Sequence, residues 1–139
     1  MSAEKLYSEI FEEFEKAETK EQRINVLRRN YHPTFRDFLI MAFNPNIVFD
    51  VEIPDYRPAP EPAGLNHTYL DMEVSKLYRF IKDHPKRNPN LTDKKKKQIL
   101  TVILEALHKD EAELLVKVIK KQLKIKNLTV KLIQEAYGL

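Results

Sequence analysis

The stretch "KKQLKIKNLTVKLIQEAYGL" (120–139) reads as a lysine-rich helix end, an Asn-Leu-Thr turn, and one more short amphipathic helix closed on Tyr-Gly. Leu123, Ile125, Leu128, Val130, Leu132 and Ile133 have the spacing of core residues. Lys120, Lys121, Lys124, Lys126 and Lys131 surround the turn. An apolar underside beneath a cationic top predicts helices that pack by one face and present the other to a polyanion.

The same helical period recurs along the chain. Leu6, Ile10, Phe14 and Ala17, with Phe11 beside them, predict an amphipathic helix over 3–17. Thr19, with Gln22 three residues on, is a capping box for a helix over 20–30 carrying Ile24, Val26 and Leu27. Pro33 suits the first turn of a third helix with Phe35, Phe38, Leu39, Ala42 and Phe43 on one face, ending before Asn44-Pro45. Pro54, Pro58, Pro60 and Pro62 enforce a non-helical connection over 46–66, where Val48, Val51 and Ile53 suggest a short extended piece. Helix returns over 68–83, with Leu70, Val74, Leu77, Tyr78 and Ile81 inward, then from Thr92 to Leu107, over 110–123 and over 129–137. The expectation is an all-α fold: one domain over 1–139, a compact bundle of six or seven helices with a proline-rich connection at 46–66.

Composition narrows the function. At 139 residues and 42% apolar content the chain can bury a core without staples. It has no cysteine, so disulfide frameworks and thiolate metal sites are excluded, which fits the reducing cytoplasm expected as its location. No apolar run approaches the ~18–20 residues of a membrane span, and no membrane association is expected. Two glycines, Gly64 and Gly138, are too few for a glycine-rich phosphate loop. The net charge of +3 conceals an asymmetry: residues 1–85 hold 11 Lys and Arg against 15 Asp and Glu, whereas residues 86–131 hold 13 against 5. A basic second half fits a polyanionic partner, or else lysines that merely solvate helix faces.

Candidate sites are weighed on chemistry. His32, His67, His84 and His108 are dispersed with no metal-ligand spacing, so no metal and no cofactor is expected. Asp37 with Glu52 and Asp71 with Glu73 read as surface carboxylates, and Ser2, Ser8 and Ser75 suggest no nucleophilic triad. The Phe35, Phe38, Phe43 and Tyr78 set has helical spacing, which favours core packing over base stacking. "TDKKKKQ" (92–98) reads as a solvated helix start, and "HPKRNPN" (84–90) offers Lys86 and Arg87 to phosphate. "DYRPAPEP" (55–62) is either a linear motif for a protein partner or a loop stiffened by prolines. At Lys126-Asn127-Leu128-Thr129, backbone N–H groups at a helix start can hold a phosphate; the plain alternative is an ordinary capped helix.

"EQRINVLRRN" (21–30), "DMEVSKLYRFI" (71–81) and above all "ELLVKVIKKQLKIKNLTVKLIQEAYGL" (113–139) resemble the helical N-terminal DNA-binding domain of ATP-dependent DNA ligases, in particular those of T-even-type bacteriophages. The resemblance covers about Phe11 to Leu139. It implies an all-helical domain, phage-encoded and acting in the host cytoplasm, that grips duplex or nicked DNA by its backbone with weak sequence preference. The residues it assigns to nucleic-acid binding are Lys117, Lys120, Lys121, Lys124, Lys126, Asn127, Thr129 and Lys131. Two departures stand out: Lys126 and Asn127 replace the turn glycine of that family, and the nucleophile motif Lys-x-Asp-Gly is missing. The expected function is therefore a non-enzymatic DNA-binding protein. The alternative is a protein–protein interaction module for a replication or transcription factor, using the acidic first helix with Glu9, Glu12, Glu13 and Glu15; a third is a piece of a larger ligase. Without the lysine nucleophile, nucleotidyl transfer has no covalent route. Incubation with labelled ATP and magnesium is expected to leave the chain unlabelled, and a covalent adenylate would overturn that expectation.

Overall fold

Each helix begins where a side chain can take its first free N–H. A computed structural model describes residues 5–139, which form α1 (Tyr7–Lys16), α2 (Lys20–Arg29), α3 (Pro33–Phe43), α4 (Leu70–Glu73), α5 (Asp93–Ala106), α6 (Lys109–Ile119) and α7 (Val130–Tyr137). Thr19 Oγ1 accepts from Gln22 N at 3.1 Å while the Gln22 side chain accepts from Thr19 N at 3.3 Å, the reciprocal box read in the sequence. Thr92 and Thr129 cap α5 and α7 in the same way, accepting from Lys95 N and Leu132 N at 3.1 Å each. The ring of His32 accepts from Thr34 N at 3.2 Å, with Pro33 in the first turn of α3. Among the described residues there is no strand, so the all-α bundle of seven helices stands.

The core forms where aromatic faces of α1 and α3 meet. Tyr7 lies edge-on to Phe35, with ring centroids 4.9 Å apart, and Phe11 packs on the same ring at 5.6 Å. Phe35 and Phe38 are fully buried, so the aromatic face of α3 is core and no stacking platform. Leu27 of α2, Leu77 and Phe80, Leu100 and Leu104 of α5, and Leu115 and Val118 of α6 complete one continuous apolar interior. Ile24, Val26, Leu70, Val74, Ile81, Leu123, Leu128, Leu132 and Ile133 are buried as their spacing predicts.

Several boundaries differ from the sequence reading, each for a visible reason. The first helix starts at Tyr7; positions 3 and 4 of the predicted span lie outside the described residues. The predicted helix 68–83 is a single α-turn, α4, that tightens into a 3-10 segment over Val74–Phe80. The predicted helix 110–123 stops at Ile119, because Lys121 turns left-handed (φ 57°). Val130 is 48% exposed and is no part of the core.

The proline-rich connection is laid onto the helices by backbone bonds and by lysines. Asp50 N donates to Phe80 O at 2.8 Å and Lys82 N to Val48 O at 2.7 Å, the extended piece expected there reduced to one isolated bridge, Phe49–Ile81. Farther on, Arg57 N donates to Glu105 at 3.1 Å and Ala59 N to Leu107 O at 3.1 Å, so "DYRPAPEP" lies along the α5–α6 corner. Lys96 is only 1% exposed; its ammonium donates to Asp50 O at 2.8 Å and to the Asp50 carboxylate at 3.1 Å. Arg87 donates to both oxygens of Asp50 at 2.8 Å. Burial pushes the Asp50 carboxyl up, but Arg87 and Lys96 together outweigh it and hold the group below the usual carboxylate range. Lys97 reaches Glu52 at 2.8 Å. Two of the four consecutive lysines thus anchor the connection, where a wholly solvated helix start was expected, and Arg87 is not free to meet phosphate.

A buried carboxylate joins the N-terminal ends of two helices. Glu111, in the first turn of α6, is fully buried and accepts from Leu70 N at 3.2 Å with one oxygen and from Tyr7 N at 3.3 Å with the other. Those donors are the first residues of α4 and α1, whose free N–H groups carry the positive end of each helix dipole. Burial outweighs both hydrogen bonds and pushes the Glu111 carboxyl up to about 7, with the charges of Glu9 and Asp71 adding to the rise.

A carboxyl raised from about 4.5 to about 7 binds its proton more tightly in the folded state. Its stabilising contribution is therefore full below the unfolded value and is lost as pH rises through 7, by about 3 kcal/mol in all. Urea melts of the wild type are expected to shift to lower midpoints between pH 5 and 7.5, a slope that Glu111→Gln removes. An unchanged slope in the variant would assign the dependence to another group.

Candidate nucleic-acid interface

The predicted interface begins where α6 ends. Gln122 N donates to Lys117 O at 2.8 Å and Lys121 N to Val118 O at 3.0 Å, with Lys121 left-handed: a Schellman ending that usually takes glycine. A lysine there carries the backbone strain that a Cβ imposes, on the order of 1 kcal/mol, and its side chain offsets the cost. The Lys121 ammonium donates to the carbonyls of Met41 and of Asn44, the latter at 2.9 Å, and lies 5.9 Å above the Phe49 ring. Those carbonyls lie at the C-terminal end of α3; the Asn44 carbonyl also accepts from Ile47 N at 3.1 Å, while the residue four on from Met41 is Pro45, which has no N–H to give. Burial holds the ammonium below the usual lysine range. Lys121, expected to face DNA, is instead half-buried and a cap for a neighbouring helix.

Beyond it the chain runs without regular structure to Ile125 and then turns. Leu128 N donates to Ile125 O at 3.0 Å, and Asn127 is left-handed (φ 68°) at the third turn position. That conformation favours glycine and next best asparagine, which accounts for Asn127 in a turn without glycine. Thr129 then caps α7, which closes on Gly138 (φ 69°) with Leu139 N donating to Gln134 O at 3.0 Å. α7 is fixed to α2 from three sides: Arg28 Nε donates to Ala136 O at 3.0 Å, the Tyr137 hydroxyl to Leu27 O at 3.1 Å, and Lys20 pairs with Glu135 at 3.0 Å.

Lys117, Lys120, Lys124, Lys126 and Lys131 are exposed, and among the described residues no carboxylate forms an ion pair with any of them. Asn127 and Thr129 are exposed between them. Several backbone donors of the turn are already taken: Lys126 N by the Glu15 carboxylate at 3.1 Å, Leu128 N by Ile125 O, and Leu132 N by Thr129. Any anion at this turn therefore meets lysine ammonium groups more than a nest of free N–H groups.

The acidic residues of α1 are largely engaged within the fold. Glu9 accepts from Leu6 N at 2.8 Å, Glu12 pairs with Lys16, Glu13 with Lys5 and Arg29, and Glu15 holds Lys126 N. Glu73, read as a surface acid, is buried and accepts from the Thr68 hydroxyl at 2.6 Å. Asp71 accepts from the Tyr7 hydroxyl at 2.8 Å beside a cavity of about 420 Å³ that Glu9, Tyr69 and Glu111 also line. Burial first, and then that hydrogen bond to Asp71, raise the Tyr7 hydroxyl above its ordinary range. Among the described residues no group of His, Asp or Glu has the arrangement of a metal site, and no helix is long and apolar enough to cross a membrane.

A seven-helix bundle with a strip of exposed lysines around the connection between its last two helices is the class of protein these observations define. Residues 10–125 match the family of unknown function DUF6433, and the chain belongs to that family. The match takes in α2–α6 and stops before the turn and α7. No curated protein and no solved structure matches the chain.

The two kinds of lysine separate under mutation. Lys121→Ala removes both bonds to the end of α3 and is expected to cost about 1–2 kcal/mol in urea unfolding. Lys120→Ala, at an exposed site with no partner, is expected to change stability by less than about 0.5 kcal/mol. Equal effects would refute the cap.

Proposed function

We propose that this protein binds DNA without catalysis, through the phosphate backbone, with Lys117, Lys120, Lys124, Lys126 and Lys131 as the contact. The observation that carries the reading is the pairing pattern. Lys96, Lys97 and Arg87 of the basic second half are consumed inside the fold, whereas these five lysines are exposed around one helix end and one turn, and among the described residues none of their ammonium groups forms an ion pair with a carboxylate. Clustered unpaired cations gain counterion-release free energy on a phosphate backbone that scattered or paired lysines do not. Asn127 and Thr129, between the lysines, add short polar groups suited to phosphate oxygens. Arg28, the arginine bound to the end of α7, is held by a backbone carbonyl, so the reading includes no base-reading arginine fork and only weak sequence preference. The likeness of residues 113–139 to the ligase DNA-binding domain points the same way and belongs to the same proposal.

Titration against nicked duplex, intact duplex and single strand at two salt concentrations tests it. Binding is expected to weaken with a log–log salt slope of about −3 to −5, near −0.9 for each phosphate neutralised. The variant with Lys117, Lys120, Lys124 and Lys126 all changed to Glu is expected to lose binding while its circular dichroism stays helical; Lys121 is left intact because it caps α3. No measurable binding of folded wild type to any of the three at low salt would end the proposal.

A further inference from the structure

On the side of α7 turned toward α3, the surface changes character from cationic to apolar. Ile40, Phe43 and Pro45 face Val130, Ile133 and Leu139 across a groove of about 290 Å³. Two of these residues are conspicuously exposed for their type, Val130 at 48% and Leu139 at 60%. Both positions follow from local structure. Val130 is the first residue of α7, and the left-handed Gly138 turns the chain so that Leu139 folds back over Gln134. The polar lining, Asn44 and Gln134, is uncharged. The volume is just under the ~300–1,000 Å³ of pockets that enclose a small ligand, and the groove suits a few aliphatic side chains laid in from outside.

Lysines flank the groove. Lys131 follows Val130 in the first turn of α7, and the Lys121 ammonium sits on the carbonyl of Asn44 at the opposite wall. Lys124 and Lys126 precede the turn that leads into α7. The nearby carboxylates are neutralised elsewhere: Glu135 pairs with Lys20 at 3.0 Å, and Asp37 pairs with Arg36 at 3.3 Å. The N-terminal end of α7 adds its own partial positive charge.

We propose that the α3–α7 groove is a docking site for an acidic amphipathic helix of a partner protein. Its apolar residues would lie between Ile40, Phe43, Val130 and Ile133, and its flanking carboxylates would lie against Lys131 and the lysines of 124–126. Helix-in-groove recognition of this kind needs apolar anchors at i, i+3 or i+4, and i+7, with charge on the flanks setting orientation. The site borders the proposed DNA contact and shares Lys124, Lys126 and Lys131 with it, but its apolar anchors Ile40, Phe43, Val130 and Ile133 lie outside that contact, so a change at Val130 tests the groove apart from the lysine strip.

The probe is a labelled helical peptide with leucines at i, i+3, i+4 and i+7 and glutamates on both flanks, followed by fluorescence anisotropy and by amide shifts of the protein. Saturable binding with shifts at Ile40, Phe43, Val130 and Ile133 is expected. Val130→Glu should weaken it about tenfold; the position is exposed, and a glutamate suits the first turn of a helix, so the fold is kept. Leu139→Glu is the second variant, and Lys131→Glu should weaken binding while leaving the groove intact. The same peptide with lysines in place of its glutamates should not bind. Shifts confined to Lys117–Lys126 with the groove residues unmoved would overturn the proposal, as would equal binding of the lysine-flanked peptide or no binding at all. Concentration-dependent self-association that Val130→Glu abolishes would assign the groove to a second copy of the chain and likewise overturn it.

Discussion

The bundle depends on one carboxylate. Glu111 stands at the start of α6 and, with one oxygen each, takes the first N–H of α1 and of α4, segments 104 and 41 residues away in sequence. Each helix end leaves several N–H groups unsatisfied, and burying them without acceptors costs far more than exposing them. An apolar or shorter side chain at 111 would leave two buried donors without their acceptor. The ends of α1 and α4 could then stay in the interior only by paying that penalty. With the acceptor in place, Tyr7 can sit on Phe35 and Leu70 can be fully buried, so the aromatic core follows from the polar contact beneath it.

Charge plays the same organising part elsewhere. A connection of some two dozen residues with no helix of its own is expensive to order. Here it is held at Asp50 by Lys96 and Arg87, at Glu52 by Lys97, and at Arg57 N by Glu105. The paired lysine at 96 is nearly inaccessible, and a buried pair of this kind is costly to break from one side even where it adds little net stability. The cations of the basic second half are therefore not equivalent. Lys96, Lys97 and Arg87 hold the fold's longest irregular segment, whereas among the described residues the ammonium groups of Lys117, Lys120, Lys124, Lys126 and Lys131 pair with no carboxylate.

What the sequence makes legible divides along the same line. Periodicity predicts the seven helices and nearly all their buried faces, because an apolar stripe at 3.6-residue spacing has few other uses. The Thr19–Gln22 box, Pro33 and the threonine caps are equally readable, since each acts over three or four residues. Long-range polar contacts are not. Nothing in "DKKKKQ" says which lysine points inward, because four in a row cover the whole helix circumference and the choice is made by Asp50, some 46 residues upstream. Glu111 resembles any glutamate in a first turn until the two donors it meets are known. Val130 fails for the opposite reason: its spacing is right for the core, but it lies at the open groove between α3 and α7 and stays 48% exposed. At the predicted interface, five of the lysines are exposed as the sequence suggests, whereas Lys121 is half-buried, its orientation depending on where α3 ends.

Lys121 also explains how a chain with two glycines makes its turns. Among the described residues three other than glycine are left-handed, Asp83, Lys121 and Asn127, and two of them lie in the connection between α6 and α7. Glycine at 121 would relieve the backbone but remove the donor to the Met41 carbonyl, whose helical partner position is Pro45. Lysine accepts the strain and supplies one, tying the end of α6 to the end of α3. That tie fixes both walls of what lies next to it. α3 is held so that Ile40, Phe43 and Pro45 line one side of the groove, and the chain leaves α6 in the direction that brings α7 to the other. The lysine closest in sequence to the exposed cluster is thus the one that positions the surface the others decorate. A substitution there would be felt at the groove and at the lysine strip together, through the geometry of the backbone and not through lost charge.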